Sequence, residues 1–285
     1  MDFLTLFTDY LSALHTILQR YHYSWKESRG WGISNSNFFT YLCSFPLVNA
    51  MNSKKIVVFT GAGVSADSGI ATFRDSDGLW ANYRIEDVCT PEALVRNRAG
   101  VVEFYNMRRR EIFAKEPNAA HYAIAELEKH FDVRVVTQNI DNLHERAGST
   151  RVLHLHGEIT KLHSMADPNL VVTIGGRDQR LDEVGPDGAL LRPHIVFFGE
   201  SVPMFEPACQ IVAEADIIIV VGTSLAVYPA ASLVYYARDR KVPIYLVDPG
   251  TPDTNMIRNP LYHIKERGSV GVPQLVEQLK NEFKR

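Results

Sequence analysis

Gly61-Ala-Gly-Val-Ser-Ala-Asp-Ser-Gly-Ile-Ala-Thr-Phe-Arg74 directly follows the apolar run Ile56-Val-Val-Phe-Thr60. A run of that length reads as a buried strand, and glycines at its end let backbone amides approach a phosphate closely. Ser65, Ser68 and Arg74 add two hydroxyls and a guanidinium around such an anion. Taken alone, a Gly-x-Gly marks an ordinary turn. Here it is followed in order by Thr137-Gln-Asn-Ile-Asp-Asn-Leu-His144, His154-Leu-His-Gly157 and Gly222-Thr-Ser224.

Outward from that loop, apolar runs recur at Val133–Thr137, Leu170–Ile174, His194–Phe198, Asp216–Val221 and Pro243–Val247. Segments with helical spacing lie between them, at His121–His130 and Ala231–Arg238. Gln274–Phe283 forms an amphipathic helix with Leu275, Val276, Leu279 and Phe283 on one side. Strands alternating with helices predict an α/β fold with a doubly wound, Rossmann-like parallel sheet. Such sheets bind ligands at the carboxyl ends of their strands, where the segments at Gly61, Gln138, Gly222 and Asp248 would converge. Two insertions, about 84–118 and 158–191, predict a smaller lobe. The first carries one helix over Pro91–Ala114, ended by Pro117, and the second is polar and Gly-rich.

The 285 residues are 46% hydrophobic and 22% charged, with a net charge of -3 and a pI near 6.4. That composition is globular and argues against a nucleic-acid-binding surface. Cys43, Cys89 and Cys209 form no close pair, so a disulfide framework is not expected and a cytoplasmic home is. No apolar run is long enough to span a membrane. Residues 1–50 are rich in aromatics without a clean period; residues 2–20 fit an amphipathic helix. Met51-Asn-Ser-Lys-Lys55 reads as a start just before the first strand, which leaves residues 1–50 as an extension or a mis-assigned start and 51–285 as the catalytic domain.

From about Lys54 to near the C-terminus, the four ordered motifs resemble the sirtuins, NAD-consuming protein deacylases. The resemblance implies NAD as cofactor and acylated protein lysines as partners. It implies products of nicotinamide and O-acyl-ADP-ribose, and a base that activates a ribose hydroxyl. That base would be His156, the histidine before the glycine; histidine suits the task because its ordinary pKa of about 6.5 lies near working pH. His154 reads as a structural histidine. Asn139 and Asp141 join His156 as catalytic residues: an amide holds a ribose hydroxyl or water, and Asp141 can accept from the nicotinamide carboxamide. Asp141 equally fits the cap of a helix through His144. NAD contacts are implied for Gly61, Ala62, Gly63, Ser65, Ala66, Ser68, Gly69, Phe73, Arg74, Gln138, Asn139, Ile140, Asp141, Gly222, Thr223, Ser224, Asp248 and Gly268. Asp248 ends a strand where an acidic side chain commonly takes ribose hydroxyls, although the family more often shows Asn nearby.

Arg192-Pro-His-Ile-Val-Phe-Phe-Gly-Glu200 resembles the family strand that receives the substrate peptide by backbone pairing, with Val196, Phe198 and Gly199 at the contact. Tyr105 and Arg108 share a helix face, and a phenol with a guanidinium can bind a carboxylate. The pair resembles the class III sirtuins, which remove succinyl and malonyl groups. Cys89 stands at a pocket position often occupied by alanine in that class. Most sirtuins carry four zinc-binding cysteines after the His-Gly element; here no cysteine falls between Gly157 and Cys209, so no structural zinc is expected. An NAD hydrolase or ADP-ribosyltransferase shares the same glycosidic cleavage and is the competing activity.

Overall fold

The computed structural model describes residues 53–72, 83–237, 239 and 241–283. The readings made for residues 1–50, Phe73 and Arg74 lie outside them. Ile56 to Phe59 are each no more than 2% exposed, as expected of a strand covered on both faces. This strand, β1 (Lys55–Thr60), sits at the centre of a six-stranded parallel sheet. On one side lie β2 (Asp132–Thr137) and then β3 (Val152–His154). On the other lie β7 (Ile217–Val221), β8 (Ile244–Val247) and β9 (Leu261–Ile264). The chain therefore runs one way from β1 and returns to its other side, which places the topological switch between β1 and β7.

Helices α5 (Ala119–Leu127) and α8 (Gly268–Glu282) cover one face through Ile124, Leu127, Leu275 and Leu279. The other face packs on α7 (Phe205–Ala213) and a 3-10 helix (Ala230–Tyr236). The segment read as Ala231–Arg238 is thus a 3-10 rather than an α-helix.

A smaller lobe contains α2 (Ile85–Val88), α3 (Pro91–Arg96) and α4 (Arg98–Phe113). A three-stranded antiparallel sheet, ordered β5-β4-β6, completes it: β4 is Gly157–Ser164, β5 Val171–Thr173 and β6 Leu191–Ile195. The single helix expected over Pro91–Ala114 is two, because Asn97 leaves helical geometry and its side chain accepts from Gly100 N at 3.1 Å, starting α4 afresh. The apolar runs at 170–174 and 194–198 do not join the parallel sheet. The second is strand only as far as Ile195, since the Phe198 N–H turns to the Cys89 carbonyl at 2.9 Å.

Hydrogen bonds tie residues 158–191 to α4. Asn106 on α4 donates to the Gln179 carbonyl at 2.9 Å and accepts from Gln179 N at 2.8 Å and Arg109 at 2.7 Å. Arg109, fully buried, also donates to the Ile159 carbonyl on β4. Arg98 reaches the carbonyls of Leu181 and Leu191, and Glu183 is clasped by Arg177.

Candidate active site

The loops after β1 and β7 interlock. Gly61 N donates to Val221 O at 3.0 Å and Gly63 N to Gly222 O at 2.8 Å. A Cβ on Gly63 would lie 2.7 Å from Gly222 Cα, and Gly222 itself holds φ +60. These glycines serve the approach of one loop to the other, and the amides of Gly61 and Gly63 are already committed to it. Thr223 Oγ1 accepts from Gln138 Nε2 at 3.0 Å, which ties the end of β7 to the end of β2.

Ser65, on the short helix α1 (Gly63–Ala66), is 1% exposed and faces inward. Its hydroxyl donates to Asp141 Oδ2 at 3.0 Å and accepts from Asn139 Nδ2 at 3.1 Å. His121 Nδ1 accepts the Asn118 N–H, so the ring proton sits on Nε2, which faces Ser65 Oγ at 3.4 Å. Burial pushes His121 down to about 4, against the opposing charge of Glu145, so the ring is neutral. Ser65 is thereby the hub that fixes two of the expected catalytic side chains rather than an outward phosphate donor. Ser68 Oγ accepts from Asn118 Nδ2 at 2.9 Å.

Asp141 is 4% exposed, and burial raises its carboxyl above the ordinary range against hydrogen bonds from Leu143 and Ser65. Its Oδ1 accepts from Leu143 N at 3.1 Å, closing a turn just before α6 (Leu143–Arg146). The N-cap of α6 is Asn142, without a side-chain cap bond, so Asp141 precedes the helix rather than capping it. Asn139 is held at three points: N–H to Thr137 Oγ1 at 3.0 Å, side chain to Ser65, and carbonyl to His154 Nδ1 at 2.7 Å.

His156 Nδ1 donates to the Gln138 carbonyl at 3.0 Å. That bond leaves the lone pair of the neutral ring on Nε2. Burial lowers the His156 pKa, and the Gln138 bond only partly offsets it. Gly157 beside it holds φ +84, and a Cβ there would meet the His194 carbonyl oxygen at 2.0 Å, so glycine is required at the first residue of β4.

Tyr105 and Arg108 are both buried, so Arg108 does not lie on a solvated helix face. Tyr105 stacks on Phe197 with ring centroids 5.7 Å apart, in a buried cluster that also holds Cys89, Ile195, Leu143 and Ile70, with Ile140 packed against it. Its hydroxyl donates to Cys89 Sγ at 3.5 Å. Burial pushes the Cys89 thiol up to about 11, opposed by Tyr105 and Arg108, so it stays protonated. Arg108 Nη1 donates to Glu111 Oε2.

The remaining residues spread along the rim. Asp248 follows β8, where its Oδ1 accepts from Gly250 N at 2.8 Å. Gly268 begins α8 close to Val64 and Val221, and the next residue, Ser269, donates to Asp67 at 2.6 Å. Val196 N pairs with the His156 carbonyl, Phe198 is 47% exposed, and Gly199 holds φ +90. Ala62, Ala66 and Gly69 line the α1 turn without side chains that reach the cluster.

The sequence matches the Sir2 family over residues 61–229. The chain belongs to the Sir2 family. Among its relatives is an NAD-dependent protein deacylase of Aggregatibacter actinomycetemcomitans, 57% identical over 198 residues, covering 70% of this chain and 94% of that protein. Another from Bacteroides thetaiotaomicron is 47% identical over 232 residues, covering 79% and 98%. A Sir2 homologue solved as its NAD complex superposes with a TM-score of 0.72 at 36% identity, covering 83% of this chain and 93% of that one. The parallel sheet with its small antiparallel lobe is the Sir2 fold.

Within this Sir2 site, the sequence reading missed Asn118, His121, His144 and Glu145, which support the expected residues from behind. His144 Nε2 faces Thr60 Oγ1 at 3.1 Å, and Thr60 donates to Thr137 Oγ1 at 2.8 Å, the acceptor for Asn139 N. The one available signal was Pro117-Asn118, a helix start whose cap returns to α1: Asn118 Nδ2 donates to Val64 O at 2.8 Å.

Proposed function

We propose that this chain, an NAD-dependent protein deacylase of the Sir2 family, removes succinyl and malonyl groups from protein lysines, with acetyl-lysine as a further substrate. The observation that carries the acyl preference is a buried phenol and guanidinium on one face of α4, inside an apolar cluster that also holds Ile140 and Leu143 of the Gln138–His144 segment. An anionic acyl tail entering an apolar pocket needs a charged hydrogen-bonding partner, and a guanidinium fork supplies one.

The donor set suits NAD. Gln138, Thr223 and Asp248 offer amide, hydroxyl and carboxylate groups at the carboxyl ends of three parallel strands, beside the switch point. Gly222, Thr223, Ser224 and Ser68 would take the phosphates, Asp248 and Gln138 the ribose hydroxyls, and Asn139 and Asp141 the nicotinamide end. When bound, NAD supplies an electrophilic sugar carbon and nicotinamide as leaving group. His156 takes a proton at Nε2, the nitrogen left basic by the Nδ1–Gln138 bond, and its burial keeps the ring neutral until that moment. Ser65 orients Asn139 and Asp141 together through one hydroxyl.

Mass spectrometry of acetyl-, malonyl- and succinyl-lysine peptides incubated with NAD tests the proposal. The expected products are free lysine peptide, nicotinamide and O-acyl-ADP-ribose, with the acidic acyl groups removed faster. Acetyl turnover exceeding succinyl would overturn the preference; nicotinamide release without any peptide would favour NAD hydrolysis instead.

A further inference from the structure

His154 and His156 alternate along one short segment and grip the carbonyls of consecutive residues, Asn139 and Gln138. Their other ring nitrogens differ. His154 Nε2 lies 2.8 Å from Glu145 Oε1, while its Nδ1 lies 2.7 Å from the Asn139 carbonyl oxygen. Both partners are acceptors, so both nitrogens carry protons and the ring is a cation. It is 8% exposed.

We propose that His154 is a positioning residue for deacylation: as a cation paired with Glu145 it holds the Asn139 carbonyl, and loss of its proton sets the alkaline limb of activity. The proposal rests on Asn139 belonging to the catalytic site. The groups facing the ring are Glu145 on α6, Glu158 on β4, Asp141 before α6, and neutral His144. Burial acts to lower the His154 pKa, but Glu145, the Asn139 carbonyl and Glu158 together raise it above the ordinary histidine value. Burial likewise acts to raise Glu145, and His154 holds it below the ordinary carboxylate value. Both directions describe the same ion pair.

When the cation gives up one proton to solvent, the remaining one stays where the stronger acceptor is, on Nε2 against the Glu145 carboxylate. Nδ1 then turns a lone pair toward the Asn139 carbonyl oxygen, and attraction becomes repulsion. One of the three fixings of Asn139 is lost while the Thr137 and Ser65 bonds remain. The site loosens without unfolding, and the effect falls on kcat.

Glu145→Gln tests this, because Glu145 is 39% exposed on its side chain and the amide keeps the shape. The amide can donate to His154 Nε2, so a neutral ring keeps Nδ1–H on Asn139 at every pH. The expected result is that the alkaline limb of kcat present in wild type disappears in Glu145→Gln. In NMR titration of the His154 ring without NAD, wild type stays a cation at pH 7, while the variant titrates roughly one unit or more lower. An alkaline limb that is unchanged, or that moves to lower pH, overturns the proposal, as does a neutral wild-type His154 at pH 7. Full activity of Asn139→Ala would remove the catalytic reading of Asn139 and leave the ring titration as an independent fact.

Discussion

Arg108 Nη1 and Glu111 Oε2 lie 2.7 Å apart across one turn of α4, with the guanidinium 6% exposed and the carboxylate 28%. Glu111 thus gives a buried cation its counter-charge from the more solvent-exposed side. An acyl carboxylate reaching Arg108 must share the fork with it. Arg108→Met is expected to reduce kcat/KM for succinyl-lysine by about ten- to a hundredfold relative to acetyl-lysine, since a charged hydrogen bond contributes about 1.5–3 kcal/mol. Arg108→Lys should restore only part of this, because a point charge cannot reproduce the fork. Tyr105→Phe should act more weakly in the same direction. Equal losses on both peptides would return Arg108 to a structural role.

His156→Gln should lower deacylation by roughly 10²–10⁴ while NAD affinity, measured by calorimetry, stays near wild type. The pH dependence has a definite sign. A base must be unprotonated, and burial holds His156 below the ordinary value. Activity should therefore persist below about pH 6.5 and fall only as pH drops through the lowered pKa. An acid limb above that value would assign the base elsewhere.

Gly157→Ala and Gly188→Ala form a matched pair. Both positions hold positive φ, +84 and +76, but an added Cβ meets a carbonyl oxygen at 2.0 Å in the first and nothing within 4 Å in the second. Gly188→Ala should cost only backbone strain, about 1–3 kcal/mol. Gly157→Ala should cost clearly more in urea denaturation. Similar midpoints for the two would mean that the β4–β6 junction can open.

Exhaustive chelation should leave the melting temperature unchanged, since hydrogen bonds already join residues 158–191 to α4. Asn106→Leu, by contrast, removes the acceptor of Gln179 N and Arg109 and the donor to Gln179 O. Stranding those buried groups should cost on the order of 3 kcal/mol or more. A melting temperature that drops on chelation, with stoichiometric zinc by elemental analysis, would contradict the first expectation.

The central strands were legible because both faces are covered and every residue of Ile217–Val221 is apolar. Val152–His154 and Leu261–Ile264 were not, being short strands at the two sheet edges with mixed exposure. Asn97 hid a helix break because an asparagine inside a helical pattern looks the same as one that caps. The site motifs were legible by their order along the chain. Their supports were not: His121, His144 and Glu145 act through bonds to residues up to 84 positions away, which no local spacing records.

The chain passes from the parallel sheet to the antiparallel one through Leu155 and His156 alone, since β3 ends at His154 and β4 begins at Gly157. The His156 ring nevertheless takes its bearing from Gln138, on the parallel-sheet side of that step. A change in the loops of the small lobe would leave the ring of the proposed base tied to Gln138 on the parallel-sheet side.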